Sequence, residues 1–155
     1  MRQSGCGGNV NIPADRNISG DVVVRLLEKE PAFDYSADVE ALYRGAGWIG
    51  EGDSAEFIPQ MLKNSFCVVG AFYRGRLIGM MRALSDGISD AYLLDMVVLK
   101  EFRGHGIASR ILETIVSSLK NLGIDWIVCI SVPDVEKLYL KYGKTMDRHT
   151  PIRFL

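Results

Sequence analysis

Apolar and polar residues alternate along the chain in runs that match strands and helices of ordinary length. Short runs rich in β-branched and apolar residues predict strands at residues 22–27, 66–73, 77–84, 92–99 and 126–132. Apolar residues at helical spacing predict helices that begin near Ser36, near Ser54, just after Gly106 and at Pro133. A last strand is expected within residues 144–155. The predicted order is therefore β-α-α-β-β-β-α-β-α-β.

The middle of the chain carries a strong hairpin pattern. Arg74 and Gly75 form a predicted tight turn between the apolar runs 66–73 and 77–84, and a further strand follows without an intervening helix. Three consecutive strands favour an antiparallel meander within an α/β layer, and they argue against a doubly wound parallel sheet.

Length and composition fit one globular domain. The chain has 155 residues, of which 48% are hydrophobic and 24% are charged. Its formal net charge of -1 argues against a nucleic-acid partner, because such domains are usually strongly basic. Residues 1–20 lack periodicity and are expected to form a flexible tail, which leaves residues 21–155 as the single domain.

Neither a membrane segment nor a metal site is expected. No apolar run approaches the ~20 residues of a membrane helix, and the first residues lack the apolar core of a signal peptide. Cys6, Cys67 and Cys129 include no CxxC pair, and His105 and His149 are the two histidines of the chain. These features predict a reducing, cytoplasmic location.

The segment after the strand at 92–99 is a candidate anion site. It runs Arg103-Gly104-His105-Gly106 and continues into a long amphipathic helix. The first N–H groups of a helix have no partner inside it and lie at the positive end of its dipole. Glycine lets a phosphate approach the backbone closely, so the pattern favours a phosphate-bearing ligand.

Three kinds of phosphate loop can be compared with this segment. A Walker loop is excluded because no Gly-Lys-Ser/Thr ending is present. A dinucleotide fingerprint would require glycine where Ser109 stands. Arg103-x-x-Gly106-x-Ala108 instead matches the Arg/Gln-x-x-Gly-x-Gly/Ala signature of the GCN5-related N-acetyltransferases (the GNAT family). The alternative is a glycine-rich helix entry that binds no ligand.

A second motif strengthens the resemblance. Leu138-Tyr139 followed by Gly143 is similar to the family element Leu-Tyr-x-x-x-Gly-Phe, with Lys144 in place of the phenylalanine. The hairpin around Gly79 also resembles a small-amine subgroup that includes plastid serotonin-type enzymes. The resemblance covers about residues 22–150. It implies a GNAT-like α/β (α+β) fold, in which a twisted, mainly antiparallel sheet with splayed central strands is flanked by about four helices.

The resemblance implies acetyl-CoA as cosubstrate and no metal. Backbone groups of the strand would pair with the pantetheine arm, and amides of the glycine-rich loop would hold the pyrophosphate. The side chain of Arg103 would add a charge-assisted phosphate contact. The implied cofactor-binding residues are Met96, Val97, Val98, Arg103, Gly104, His105, Gly106, Ile107, Ala108 and Ser109.

The resemblance also implies a general acid. Tyr139 matches the tyrosine that protonates the leaving thiolate, and its alternative role is that of a core aromatic residue. A backbone N–H, that of Met96, would polarise the thioester carbonyl.

The general base is harder to place. Tyr92 and Leu94 stand where family members often carry Glu or His, and neither is a good base at neutral pH. Asp95 is the first choice, although simple alternation puts it on the face opposite Leu94 unless a bulge changes the parity. Asp90, Asp134 or a chain of water molecules are the alternatives.

The acceptor side is predicted from its chemistry. Trp48, Asp86 and Tyr92 are candidate substrate-binding residues, with Glu51 and Asp53 close to the first of them. Aromatic and acidic groups suit a cationic amine, although each could equally be a packed aromatic or a surface carboxylate.

The function that follows is acetyl transfer from acetyl-CoA to a primary amine of a small molecule, by direct attack in a ternary complex. Two alternatives remain open: acetylation of a protein or peptide, and a non-catalytic module that senses acetyl-CoA. The family resemblance also allows a homodimer, and the sequence does not fix the oligomeric state.

Overall fold

A computed structural model describes residues 18–28 and 34–155 of the chain. The strands are β1 (Val22–Leu26), β2 (Cys67–Tyr73), β3 (Arg76–Ser85), β4 (Asp90–Val98) and β5 (Trp126–Cys129). The α-helices are α1 (Ile18–Asp21), α2 (Ser36–Gly45), α3 (Ile58–Asn64), α4 (Ile107–Asn121) and α5 (Glu136–Tyr139), and a 3-10 turn covers Lys100–Phe102. Each strand predicted upstream of residue 133 is present, as are the four predicted helices.

The strands form one sheet in the order β1-β2-β3-β4-β5. Neighbouring strands are antiparallel from β1 to β4, and β5 lies parallel to β4. The predicted meander and the mixed, mainly antiparallel fold class are therefore confirmed.

Strand β5 pairs with β4 along its whole length but covers only the first part of β4. The pairing runs from Asp90 opposite Trp126 to Leu93 opposite Cys129, where β5 ends. Strand β4 continues to Val98 and stays paired with β3 on its other side. The second half of β4 therefore has an edge that β5 does not cover, at the place where the resemblance implies splayed strands.

Helices cover the two faces of the sheet. The apolar stripe of α4 is buried against one face. A Cβ on Gly79 of β3 would lie 3.3 Å from Cδ1 of Ile111, so Gly79 faces α4. Arg82, three residues further along β3, shares a hydrogen-bond acceptor with Tyr43 of α2 and so faces the other helical layer.

The expected last strand is wrong. Residues 144–155 form no strand, and Ile152 and Phe154 are 73% and 91% exposed. The segment places charged residues and Pro151 between its few apolar positions, so it has no apolar face to bury. Arg148 also has a φ of 66°, which interrupts an extended backbone.

The N-terminal boundary of the domain differs from expectation. Ile18 is 3% exposed and begins α1, so residues 18–20 belong to the folded part and not to the expected tail. Residues 1–17, including Cys6, lie outside the described residues. Helix α5 ends at Tyr139, and the N–H groups of Tyr142 and Gly143 both donate to the Tyr139 carbonyl in the turn that follows.

Candidate active site

The loop between the 3-10 turn and α4 is shaped by two glycines. Gly104 and Gly106 have φ values of 82° and 74°, in the left-handed region that other residues adopt only with strain. A Cβ at either position would meet nothing within 4 Å. The glycines are therefore required by the backbone conformation, and the space beside them is open to a ligand.

The start of α4 presents amide groups to that space. Gly106 is the N-cap residue, and no side chain caps the helix. The first helical N–H to find a backbone acceptor is that of Arg110, which bonds to the Gly106 carbonyl at 3.2 Å. The amides of Ile107, Ala108 and Ser109 precede it and lie at the positive end of a 15-residue helix, which suits an anion.

Hydrogen bonds from side chains of the loop to nearby backbone carbonyls stabilise its conformation. Nδ1 of His105 lies 2.9 Å from the Arg103 carbonyl oxygen, and Nε of Arg103 donates to the Val98 carbonyl at 2.9 Å. Phe102 is buried, with its ring centroid 5.4 Å from that of Tyr73. A phosphate contact from Arg103 would thus come from its terminal nitrogens, since Nε already holds the end of β4.

A β-bulge interrupts β4 near Asp95. The sequence pattern alone did not decide which face of the strand this side chain occupies. Met80 pairs with Val97 and Arg82 pairs with Leu94, so two steps along β3 match three along β4. Asp95 lies within this extra step and has a φ of 58°. The bulge brings its carboxylate to the α2 side of the sheet.

Two donors share one oxygen of the Asp95 carboxylate. The Tyr43 hydroxyl donates to Oδ2 at 2.7 Å, and Nε of Arg82 donates to the same atom. The side chains of Arg82 and Asp95 are 14% and 24% exposed, so this ion pair is largely shielded from water. The base role of Asp95 stays a prediction, and the structure adds a second, structural role to be weighed against it.

Burial also changes the acidity of Tyr43. Desolvation raises the pKa of its phenol well above the ordinary value, and the hydrogen bond to Asp95 adds to the rise. Tyr43 therefore stays protonated at neutral pH and acts as a hydrogen-bond donor.

Tyr139 lies beside the point where β4 and β5 part. It is half-buried at the end of α5, and burial raises the pKa of its phenol, with the neighbouring Cys129 adding to the rise. Cys129 is the β5 residue opposite Leu93 at the last pair of the two strands. A phenol that remains protonated at this point is the form that a proton donor requires.

Glu136 is a residue that the sequence pattern did not single out. It precedes Tyr139 by three positions on α5, so the two side chains lie on neighbouring parts of one helix face. Its Oε2 is buried without a hydrogen-bond partner among the described residues. Its position beside Tyr139 makes Glu136 a second candidate carboxylate for the base. Its three-residue spacing from Tyr139 was the available signal.

The predicted acceptor residues fall into two groups. Trp48 is 49% exposed and stacks edge-on against Tyr43 at 5.1 Å, and Phe57, 47% exposed, lies 6.4 Å from the same ring. Tyr43 connects this aromatic group to Asp95. Phe57 joins Trp48 in this group although it was not among the candidate substrate-binding residues predicted from the sequence.

Asp86 and Tyr92 lie elsewhere on the hairpin. The Asp86 carboxylate accepts the N–H groups of Ile88 and Ser89 at 2.8 and 3.0 Å, and these bonds lower its pKa. It organises the β3–β4 turn, at the end of β4 away from the glycine loop. Tyr92 is half-buried on β4 opposite Leu84. A substrate role for either residue stays a prediction.

Comparison with known families identifies the family to which this chain belongs. Residues 30–143 match the model of the Acetyltransferase (GNAT) family, and the chain therefore belongs to that family. Within the described ranges, no group of three or more His, Cys, Asp or Glu side chains could hold a metal ion. None of the helices in those ranges has the length and apolar character needed to cross a membrane.

Named relatives agree with this family. The chain is 26% identical over 114 residues to an uncharacterized N-acetyltransferase ycf52 of Pyropia yezoensis, covering 71% of this chain and 64% of that protein. It is 32% identical over 73 residues to a chloroplastic serotonin N-acetyltransferase 2 of Oryza sativa subsp. japonica, covering 47% and 36%. The chain thus spans less than two thirds of the length of these curated relatives.

Solved structures share the fold. A probable acetyltransferase of unknown function from methicillin-resistant Staphylococcus aureus superposes with a TM-score of 0.68 at 26% identity, over 86% of this chain and 99% of that one. A GNAT family protein from Streptococcus pneumoniae superposes with a TM-score of 0.71 at 19% identity, over 86% and 97%.

Proposed function

We propose that this chain transfers the acetyl group of acetyl-CoA to a primary amine of a small molecule, by direct attack in a ternary complex. The observation that carries the proposal is a junction of two features on β4. One end of the strand leads into an open glycine loop followed by helix amides that have no hydrogen-bond partner among the described residues, and the pairing of the same strand with β5 ends at Leu93.

The residues present fit acetyl-CoA. The open space beside Gly104 and Gly106 admits a pyrophosphate, and the amides at the start of α4 would hold it. The backbone of Met96, Val97 and Val98 lies on the stretch of β4 that β5 does not cover, and it would pair with the pantetheine arm. When bound, acetyl-CoA supplies an activated acyl thioester.

Residues near the end of the β4–β5 pairing would donate a proton to the leaving thiolate and accept one from the amine. The neutral amine forms a bond to the thioester carbonyl carbon, the carbon–sulfur bond breaks, and the Tyr139 phenol protonates the departing thiolate. The N–H of Met96 would donate to the carbonyl oxygen as negative charge develops there. The proton released by the amine would pass to Asp95, to Glu136 or to water.

A small amine is favoured as the acceptor for two reasons. The chain is similar, over 47% of its length, to a serotonin N-acetyltransferase of rice. Exposed aromatic faces of Trp48 and Phe57 lie beside the Tyr43–Asp95 pair, where they could contact a cationic or aromatic amine. A peptide acceptor is the competing proposal, because the same opening could receive an extended chain.

Ligand-induced stabilisation tests the proposal at its first step. Acetyl-CoA and CoA, each added at saturating concentration, are expected to raise the melting temperature, because a ligand that binds only the folded state stabilises it. NAD serves as the control, since it carries a pyrophosphate and an adenosine without the pantetheine arm. Stabilisation by NAD and not by CoA would overturn the assignment.

A further inference from the structure

We propose that Arg82 and Tyr43 hold Asp95 as a lock on the β4 bulge, so that Asp95 positions the following backbone for acetyl-CoA and does not take the proton from the amine. This inference rests on the proposed function for its consequence in catalysis. Its structural basis is the contact set of Asp95, which brings together a helix and two strands.

The backbone at Asp95 needs an anchor. Its φ of 58° lies in the left-handed region, which costs a residue with a side chain about 1 kcal/mol or more. Asp and Asn tolerate this region better than other side chains, because their short polar groups can bond locally. Two hydrogen bonds from outside β4 fix the residue in this conformation.

The hydrogen bonds that hold Asp95 continue beyond Arg82 and Tyr43. A terminal nitrogen of Arg82, Nη1, donates at 3.4 Å to Oγ of Ser65, which follows the last residue of α3 and is 1% exposed. That hydroxyl in turn donates to the carbonyl of Met61 within α3 at 2.8 Å. The position of Asp95 is therefore fixed from α2, α3 and β3 at once.

The bulge decides how the next residues are presented. Pairing between β3 and β4 resumes at Val97, beyond the last pair that β4 makes with β5. Met96 follows Asp95 directly, so the direction of its N–H depends on the bulge. If the bulge relaxed, the strand parity after Leu94 would change and the uncovered edge of β4 would present different amides.

The same contacts give the Asp95 carboxylate a structural task. Both donors converge on Oδ2, and the carboxylate is the counter-ion of Arg82, whose side chain is 14% exposed. The lock therefore assigns this carboxylate to holding the backbone, and the proton from the amine passes to another group or to water.

Replacement of Asp95 separates the two roles. Asp95→Asn keeps an oxygen that can accept from Arg82 and Tyr43 and also tolerates the left-handed backbone, whereas Asp95→Ala keeps neither property. Both variants remove the counter-ion of Arg82, so both are expected to lower the melting temperature, and the comparison between them isolates the acceptor and the backbone conformation. The lock predicts that Asn retains kcat within about threefold with an unchanged kcat–pH profile, while Ala raises the Kd for CoA about tenfold. If Asn loses as much kcat as Ala and the limb of the pH profile assigned to a base disappears, Asp95 is the base and the lock is wrong.

Replacement of the donors tests the lock from its other side. Arg82→Met and Tyr43→Phe leave the Asp95 carboxylate in place, and both are expected to raise the Kd for CoA and to speed amide hydrogen exchange at Met96 and Val97. Arg76→Met and Tyr142→Phe are the matched controls and should change neither quantity. Tyr43→Phe removes a single hydroxyl, so it stays informative where Arg82→Met does not fold. Unchanged CoA affinity and exchange in Tyr43→Phe would overturn the lock.

Failure of the lock differs from failure of the proposed function. A wild-type protein that binds no CoA in isothermal titration contradicts the proposed function and the positioning role together. Wild-type binding that Asp95→Ala and Tyr43→Phe leave intact contradicts the lock alone.

Discussion

The fold raises the pKa of two tyrosines on different elements, and each is suited to a different task. Tyr139 lies beside Cys129 where the strands part, so its retained proton is available to a leaving thiolate. The Tyr43 hydroxyl donates a hydrogen bond to Asp95, and the residue is almost fully buried. The sequence singled out Tyr139 because a short motif carries it. It could not single out Tyr43, because the contact with Asp95 spans 52 positions.

Tyr139→Phe tests the general acid. The change removes the hydroxyl alone, so kcat should fall about a hundredfold while the KM for acetyl-CoA stays within about twofold. Steady-state kinetics with a small primary amine provide the measurement, and Tyr142→Phe on an exposed neighbour is the control. An unchanged kcat would show that another group protonates the thiolate.

The raised pKa of Tyr43 predicts a pH dependence of stability. Folding favours the protonated phenol, so the stabilisation is complete below the ordinary tyrosine value of about 10 and is lost as the pH rises above it. The free energy of unfolding should fall more steeply between about pH 9.5 and 11 in the wild type than in Tyr43→Phe. Urea denaturation at several pH values measures this difference, and equal slopes would contradict the burial of a protonated Tyr43.

Gly106 offers a pair of variants that differ only in charge. Asn and Asp tolerate the left-handed backbone at this position, and Asp adds a negative charge at the helix N-terminus. We expect Gly106→Asp to melt no lower than Gly106→Asn but to bind acetyl-CoA at least about tenfold more weakly, because its carboxylate repels the pyrophosphate. Equal affinities of the two variants in isothermal titration would place the phosphates elsewhere.

At the level of whole elements, local pattern predicted most of the fold. The β2–β3 hairpin, the third strand of the meander and α4 follow from turn residues and periodicity that lie within each segment. The bulge in β4 depends on how that strand registers against β3, and alternation within β4 could only leave its parity open. Residues 144–155 were expected to form a strand, but they lack the alternating apolar face that a strand at a sheet edge would bury.

Gly79 tests the contact between β3, β4 and α4. A Cβ there would lie 2.9 Å from the Val97 carbonyl oxygen and 3.0 Å from Cγ2 of Val98, so Gly79→Ala must displace the backbone of β4. A loss of about 1–3 kcal/mol in the free energy of unfolding is expected. Gly20→Ala, where a Cβ meets nothing within 4 Å, is the control and should be close to neutral. Equal stability of the two variants would contradict this packing.

At the scale of the whole molecule, a net charge of -1 is compatible with a polyphosphate ligand. The candidate site uses oriented backbone amides and one helix end, with Arg103 as a cation within the loop, so no basic surface is needed. The family and the fold class could both be read from the sequence, because two short motifs and the strand order are local features. The residues that would contact the acceptor amine could be predicted only in part from the sequence. Trp48 was a candidate, but Tyr43 and Phe57 join it through tertiary packing.

Acetyl transfer itself is the most direct test of the account. The purified chain would be incubated with acetyl-CoA and one acceptor per reaction: a small arylalkylamine, a polyamine, or a peptide with a free N-terminus. Acetylated products would be quantified by mass spectrometry, and the release of free CoA would be measured in the same reactions. We predict that the N-acetylated small amine and free CoA form in equal molar amounts, and that Tyr139→Phe strongly reduces the rate. Acetyl-CoA binding without acetylation of any amine, or acetylation of the peptide alone, would contradict it.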